Sequence, residues 1–160
     1  MKSDRSNHRQ FLMPGLLILV LAMCTACGTK IVRGASPMVR MTEMSHLDNK
    51  ITLQISIRNL NGVEMDVQSI DFSLLASDEL LFSYRGPVNT NIVANGTEAW
   101  SVEVEENENS KSLLNKLENG EVKSLPYSLE GSILTREDGT LSFEYEGHIY
   151  PLPGRPGYFR

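Results

Sequence analysis

Apolar and polar residues alternate along most of the chain after residue 37, a pattern typical of strands with one buried face. In the segment ITLQISIR the odd positions, Ile51, Leu53, Ile55 and Ile57, are apolar and their neighbours are polar. Similar stretches recur about every ten residues, and turn sequences such as NLNG, NG and REDG separate them. We therefore predict an all-β, antiparallel β-sandwich of about seven strands.

The later strands are predicted from the same alternation. Between residues 63 and 74 the apolar positions change from odd to even near Gln68 and Ser69, which indicates a β-bulge. A further strand is expected to end at the RGP sequence of residues 85–87. Trp100 shares its parity with Val102 and Val104, which favours a core position over an exposed binding platform. The apolar positions of the later strands are Leu80, Phe82 and Tyr84; Trp100, Val102 and Val104; Leu125, Tyr127, Leu129 and Ile133; and Leu141, Phe143 and Tyr145.

One short helix is predicted within NSKSLLNKLENG, residues 109–120. Asn109 or Ser110 is the expected N-cap and Gly120 marks the C-terminal end. The three leucines, Leu113, Leu114 and Leu117, would share one face, so we expect this face to be buried.

The first 26 residues have the pattern of a secretory signal peptide. Lys2, Arg5 and Arg9 form a basic n-region, and the uncharged segment 11–23 follows as an apolar h-region. A transmembrane helix needs about 20 apolar residues, and this shorter segment also contains Pro14 and Gly15. We therefore expect residues 1–26 to be removed from the mature protein.

The two cysteines of the chain, Cys24 and Cys27, lie at the end of this segment, which resembles that of a bacterial lipoprotein precursor. Small residues precede Cys27, so we predict cleavage between Ala26 and Cys27 and lipidation, for example with palmitate, on Cys27. Cys24 is the alternative; Leu21 suits its register, but Met23 is large for a cleavage site. A redox pair or a zinc site is disfavoured, because no βαβ pattern follows and the histidines are scattered.

Cleavage at this point divides the chain into a lipidated tether at residues 27–36, a sandwich domain at 37–154 and a C-terminal tail at 155–160. The whole chain carries a net charge of −5, and the 26 discarded residues carry three cations and one anion, so the mature part is near −7. Such an acidic domain is a poor candidate for binding nucleic acid. Its association with a membrane would depend on the lipid anchor.

The sequence shows no catalytic, cofactor-binding or metal-binding motif, so we expect no enzyme, cofactor or metal. The acidic run at Glu103, Glu105, Glu106 and Glu108 is expected to be a solvated strand end and loop. His148 is expected at the surface. The tail PLPGRPGYFR is rich in Pro and Gly, and we expect it to be frayed. Tyr158 and Phe159 are the residues through which it could instead contact a partner.

Several segments together resemble the late embryogenesis abundant (LEA) group 2 family, which is that of the water-stress and hypersensitive-response (WHy) domain. They are ISIRNLNGVEMDVQSIDFSL, LLFSYRG, LPYSLEGSI and LSFEYEGHIYPLPG, and the resemblance covers about residues 37–154. Leu60 stands where the family usually has Pro in Asn-Pro-Asn. The resemblance implies an immunoglobulin-like or fibronectin type III-like sandwich with a small helix. It also implies a non-catalytic role in protecting proteins or membranes from stress such as desiccation.

Bacterial proteins of this kind are often lipoproteins, and Gly28 after the lipidated cysteine resembles a signal for the outer membrane of a Gram-negative cell. The domain would then face the periplasm. Two functions follow as hypotheses. The domain either shields unfolded or stress-labile client proteins, or serves as an accessory subunit of an envelope assembly.

Overall fold

Residues 32–160, the part of the chain that the computed structural model describes, form eight strands and one helix. The strands are β1 (Met38–Leu47), β2 (Lys50–Arg58), β3 (Met65–Ala76), β4 (Glu79–Ile92), β5 (Thr97–Glu105), β6 (Leu125–Thr135), β7 (Gly139–Ile149) and β8 (Tyr158–Phe159). The helix α1 (Glu108–Glu118) lies between β5 and β6.

The strands form two four-stranded sheets, in each of which every neighbouring pair is antiparallel. Sheet A has the order β5-β2-β1-β8, and sheet B has the order β4-β3-β6-β7. Buried side chains from both sheets form one hydrophobic core. The predicted all-β sandwich with a single short helix is confirmed.

Strand β2 lies in the interior of sheet A and follows the predicted alternation. Ile51, Leu53, Ile55 and Ile57 are each 0% exposed. Strand β1 pairs with β2 on one side and β5 pairs with it on the other. The four aliphatic side chains therefore form the centre of the core face of sheet A.

The predicted bulge in β3 is confirmed. The pairing of β3 with β6 shifts between Val67 and Ser69, which leaves Gln68 as the extra residue on β3. Because the shift moves the side chains by one position, Ile70, Phe72 and Leu74 return to the core face, as the sequence requires.

A bulge in β4 that the alternation does not reveal corrects the prediction for Leu80. Leu74 pairs with Phe82 and Leu75 pairs with Leu80, so Leu81 is an extra residue on β4. Leu81 and Phe82 are both buried, whereas Leu80 is 44% exposed. Two consecutive apolar residues can face the core because the bulge turns one of them.

The prediction that β4 ends at the RGP sequence is also wrong. The strand continues through Gly86 and Pro87 as far as Ile92. Strand β4 is an edge strand of sheet B, and an edge tolerates the missing N–H of proline.

Strand β1 is an element that the alternation does not predict, because its apolar spacing is irregular. Met41 pairs with Ile55 and Glu43 pairs with Gln54, so Thr42 is an extra residue. Val39, Met41 and Met44 are all buried, although the spacing changes from two to three residues between them. The bulge thus hides a core strand from a search for strict alternation.

The C-terminal residues are not a frayed tail. Strand β8 pairs with β1 through Met44 and Ser45. Phe159 is 0% exposed and lies within the core cluster. The backbones of Tyr150 and Arg160 also exchange hydrogen bonds of 2.8 and 2.9 Å. The sandwich therefore continues beyond the predicted boundary at residue 154.

Helix α1 begins earlier than predicted. Its N-cap is Asn107, whose side chain accepts from the Ser110 N–H at 2.8 Å, while the Ser110 hydroxyl accepts from the Asn107 N–H at 2.8 Å. This reciprocal capping box satisfies two backbone donors at the helix start. Gly120 follows the C-cap Asn119 with a φ of 75°, as expected at a helix end. The three predicted leucines are buried.

Candidate functional site

Two asparagines in the connection between β2 and β3, Asn59 and Asn61, form a buried network of hydrogen bonds with backbone groups. Both residues are 0% exposed. The sequence analysis treats NLNG as a turn whose residues tolerate the left-handed region, but neither asparagine has a positive φ. Their role is instead to bind other parts of the backbone through their side-chain amides. We call Asn59, Asn61 and the segments they bind the asparagine junction.

Asn59 joins its own connection to the end of β4. Its Nδ2 donates to the carbonyl oxygens of Val63 at 2.8 Å, Ile92 at 3.1 Å and Val93 at 3.2 Å. Its Oδ1 accepts from the Asn61 N–H at 2.9 Å. Its backbone N–H donates to the Gly96 carbonyl at 2.9 Å. One side chain therefore closes its own turn and fixes the turn between β4 and β5.

Asn61 joins the same connection to the segment that leads into β1. Its Oδ1 accepts from the Ala35 N–H at 2.8 Å, and its Nδ2 donates to the Ala35 carbonyl at 3.2 Å. Its backbone carbonyl accepts from the Asn95 N–H at 3.1 Å. An amide is suited to this position because it carries a donor and an acceptor side by side, as a peptide group does.

The asparagine junction holds three chain segments at one end of the sandwich. Every buried side-chain nitrogen and oxygen of residues 32–160 has a hydrogen-bond partner, so neither amide leaves a buried polar atom unpaired. They are neutral and already bonded to backbone groups, so the arrangement suits positioning of loops rather than proton transfer.

A second polar cluster lies near the opposite end, where β5 leads into α1. His46 Nε2 and Glu106 Oε2 are 2.6 Å apart, and their side chains are 12% and 10% exposed. Lys111 Nζ lies 3.4 Å from Glu106 Oε1. The hydrogen bond from His46, together with Lys111, lowers the pKa of Glu106 below its usual value of 4.5, although burial opposes this effect.

This cluster corrects the expectation for the acidic run. Glu103, Glu105 and Glu108 are exposed, as expected, but Glu106 is partly buried and paired. His46 lies sixty residues away in sequence, so spacing alone could not bring it to Glu106. Among residues 32–160 there is no group of three His, Cys, Asp or Glu side chains placed to hold a metal ion.

A shallow groove of about 620 Å³ lies on sheet B beside the turn between β3 and β4. Ser128, Glu130, Glu146 and His148 contribute to its lining. Ser128 Oγ donates to Glu130 Oε1 at 3.2 Å. His148 is exposed, as predicted, and its ring centroid lies 6.1 Å from that of Tyr150. The groove is therefore open to solvent and combines the carboxylates of Glu130 and Glu146 with apolar lining residues.

Tyr127 also lines the groove but belongs mainly to the core, since it is 7% exposed. Burial raises the pKa of its phenol to about 12 from the usual 10.0, and the nearby Tyr145 adds to the effect. The folded state therefore favours the neutral phenol over the phenolate.

The two aromatic residues of the tail differ in burial. Phe159 is fully buried, so the prediction that it serves as a partner contact is wrong. Tyr158 is half-buried, and the Arg155 guanidinium lies 3.8 Å from its ring centroid.

Trp100 is half-buried against the core, and its ring centroid lies 5.3 Å from that of Tyr84, which agrees with the predicted inward face.

The predicted signal peptide, the cleavage position at Ala26 and both cysteines, Cys24 and Cys27, lie outside the described residues. Within residues 32–160 no helix is long and apolar enough to cross a membrane.

Comparison with solved structures supports the fold. A protein of Arabidopsis thaliana, known from its solution structure, aligns with a TM-score of 0.56 and 13% identity over 82% of this chain and 93% of that one. A protein named as late embryogenesis abundant aligns with a TM-score of 0.45 and 14% identity over 89% and 85% of the two chains. A protein of Archaeoglobus fulgidus gives 0.44 and 12% over 71% and 95%.

The shared fold rests on the Arabidopsis protein, since the other two TM-scores are too low to bear on it. No family model and no curated protein matches the chain. The comparisons therefore support the sandwich fold without assigning an activity.

Proposed function

We propose that this chain is a lipid-anchored, non-enzymatic protein of the bacterial cell envelope, whose LEA type 2-like sandwich protects proteins or membrane during stress such as desiccation. The observation that carries the proposal is the asparagine junction. The Asn59-Leu60-Asn61 motif, which lies in one of the segments that carry the family resemblance, has its two asparagines buried and bonded to three chain segments. A motif built into the fold in this way supports the resemblance more strongly than alternation of strands does.

The non-enzymatic role is supported by how the polar residues are used. The titratable groups that the fold brings together, His46, Glu106 and Lys111, are engaged with one another. The groove on sheet B is open, and its Ser128 hydroxyl is bonded to Glu130. The first arrangement contains no hydroxyl or thiol nucleophile, and in the second the carboxylate beside the Ser128 hydroxyl is exposed to solvent on an open surface.

Anchoring through Cys27 is the second part of the proposal. In a Gram-negative cell, Gly28 after the cysteine favours the outer membrane, with the sandwich facing the periplasm. The support is the sequence, in which an uncharged h-region ends in small residues and a cysteine. A diacylglycerol group and an amide-linked acyl chain would together be sufficient for stable anchoring.

Labelling with radioactive palmitate tests the anchor. Cys27→Ser should abolish labelling and leave the precursor uncleaved, whereas Cys24→Ser, the matched control, should change neither. The opposite pattern would move the anchor to Cys24, and labelling of neither cysteine would refute lipidation.

One observation favours the alternative, an accessory subunit of an envelope assembly. The groove on sheet B adjoins β7, which is an edge strand of that sheet, and an edge strand can accept a strand from a partner. Crosslinking followed by pull-down from envelope fractions separates the two functions. A protective domain should capture many unfolded clients weakly, and an accessory subunit should copurify with one partner in a fixed ratio.

A further inference from the structure

Three exposed apolar side chains lie on the segments that the asparagine junction joins. Val32, Leu60 and Val93 are 49%, 38% and 65% exposed. The Gly62 N–H donates to the Val32 carbonyl at 3.0 Å, and Asn59 Nδ2 donates to the Val93 carbonyl at 3.2 Å. Leu60 lies between these two contacts in the sequence. We call the three residues the apolar end patch.

The backbone of the apolar end patch is fixed by the junction. Leu60 is flanked on both sides by the buried asparagines, and Val93 also accepts a backbone hydrogen bond from Gly96 at 2.8 Å. The three apolar side chains are therefore exposed to solvent, while hydrogen bonds hold the backbone next to them in place. Exposed apolar side chains on neighbouring segments can mark a contact with a protein or a membrane.

The position of the patch in the chain favours a membrane. Residues 27–31 connect Cys27 to Val32, and five residues span at most about 18 Å when fully extended. A lipid on Cys27 would therefore keep this end of the sandwich close to the bilayer surface. The opposite end lies about 30 Å further away, the length of a nine-residue strand such as β2.

Charge has a secondary role in this contact. Arg33 and Arg58 are exposed at this end and form no ion pair within residues 32–160, so they are free to meet lipid phosphates. Glu64, Glu98 and Glu137 are exposed at the same end and outnumber them. The apolar side chains would therefore carry the contact, and added salt should weaken it little.

We propose that Val32, Leu60 and Val93 form a membrane-contact surface that enters the headgroup region of the bilayer and orients the sandwich with its junction end toward the lipid. The inference rests on the proposed lipid anchor at Cys27. Because the anchor already holds the domain at the surface, a patch of three side chains needs to supply orientation alone.

Depth-dependent fluorescence quenching tests the proposal in the full-length, lipidated protein. A single cysteine is introduced by Leu60→Cys or Val93→Cys and labelled with an environment-sensitive fluorophore. Leu80→Cys is the matched control, because Leu80 is 44% exposed and lies at the opposite end of the sandwich. The proteins are reconstituted into vesicles of phosphatidylethanolamine and phosphatidylglycerol that contain a spin-labelled lipid.

The expected result is loss of fluorescence at positions 60 and 93 with the spin-labelled lipid, unchanged by salt, and no loss at position 80. Equal quenching at all three positions, or quenching at none of them in palmitate-labelled protein, would overturn the membrane contact and leave the proposed anchor intact. Absence of palmitate from the protein would instead overturn the proposed anchor, and this inference with it. Shielding of positions 60 and 93 by a copurifying protein, without quenching by the spin-labelled lipid, would also overturn the membrane contact.

Discussion

Replacement of Asn59 by alanine should strongly destabilise the sandwich. The substitution removes the donor for three carbonyl oxygens, those of Val63, Ile92 and Val93, and the acceptor for the Asn61 N–H. The bonds to the Ile92 carbonyl and from the Asn61 N–H are buried, so water cannot readily replace them. The other two carbonyls are partly exposed and can regain a water partner.

The expected magnitude follows from the two buried groups. A buried donor or acceptor that loses its partner costs about 1–3 kcal/mol, so two of them should lower the free energy of unfolding by about 2–6 kcal/mol. Domains of ordinary size are stable by about 5–15 kcal/mol, so this is a large fraction of the total. Each kcal/mol should lower the melting temperature by about 2–8 °C.

Urea denaturation measures this change as the shift in midpoint at an unchanged slope. Asn91→Ala is the matched control, because Asn91 is exposed and its Nδ2 lies 3.3 Å from Glu64 Oε2. An exposed substitution of this kind should change stability by less than about 0.5 kcal/mol. If Asn59→Ala is no more destabilising than Asn91→Ala, the junction does not hold this end of the fold.

Three further predictions concern other parts of the sandwich. Gly131→Ala should lower the free energy of unfolding by about 1–3 kcal/mol in the same urea assay, because an added Cβ would clash with the Asp71 carbonyl oxygen. Unchanged stability would mean that β3 and β6 can separate there. The raised pKa of Tyr127 gives stability that is fully present below pH 10.0 and is lost as pH rises toward about 12, so Tyr127→Phe should flatten an alkaline unfolding curve. The lowered pKa of Glu106 gives stability that is present above pH 4.5 and is lost at lower pH. Glu106→Gln should therefore flatten the acid limb of the curve of stability against pH. An unchanged acid limb would show that the pair of Glu106 with His46 does not cause the loss of stability in acid.

The sequence predicts the fold class because the clearest strands have one buried face. The alternation at Ile51–Ile57 and the parity change at Gln68 both correspond to observed structure. The failures occur where an extra residue breaks the period. Thr42 hides β1, and Leu81 moves the core face away from Leu80. Around Thr42 and Leu81 the runs of alternation are too short to reveal the extra residue, whereas longer runs flank Gln68.

The polar sites are harder to predict than the core. Asn59 and Asn61 occur in a sequence typical of an exposed turn, yet their partners are backbone groups from segments distant in sequence. Phe159 follows a stretch rich in Pro and Gly, and its burial depends on pairing with Met44. The repeated asparagine at the end of a strong strand is the signal in the sequence that could have identified the junction.

The mass of the mature N-terminal peptide tests the proposed anchoring most directly. The protein should be isolated from the membrane fraction of a bacterial host that processes lipoproteins, and the peptide analysed by mass spectrometry. The account predicts a chain that begins at Cys27 and carries a diacylglycerol group and an amide-linked acyl chain. A chain that retains residues 1–26, or one that begins at Cys27 without lipid, would contradict it.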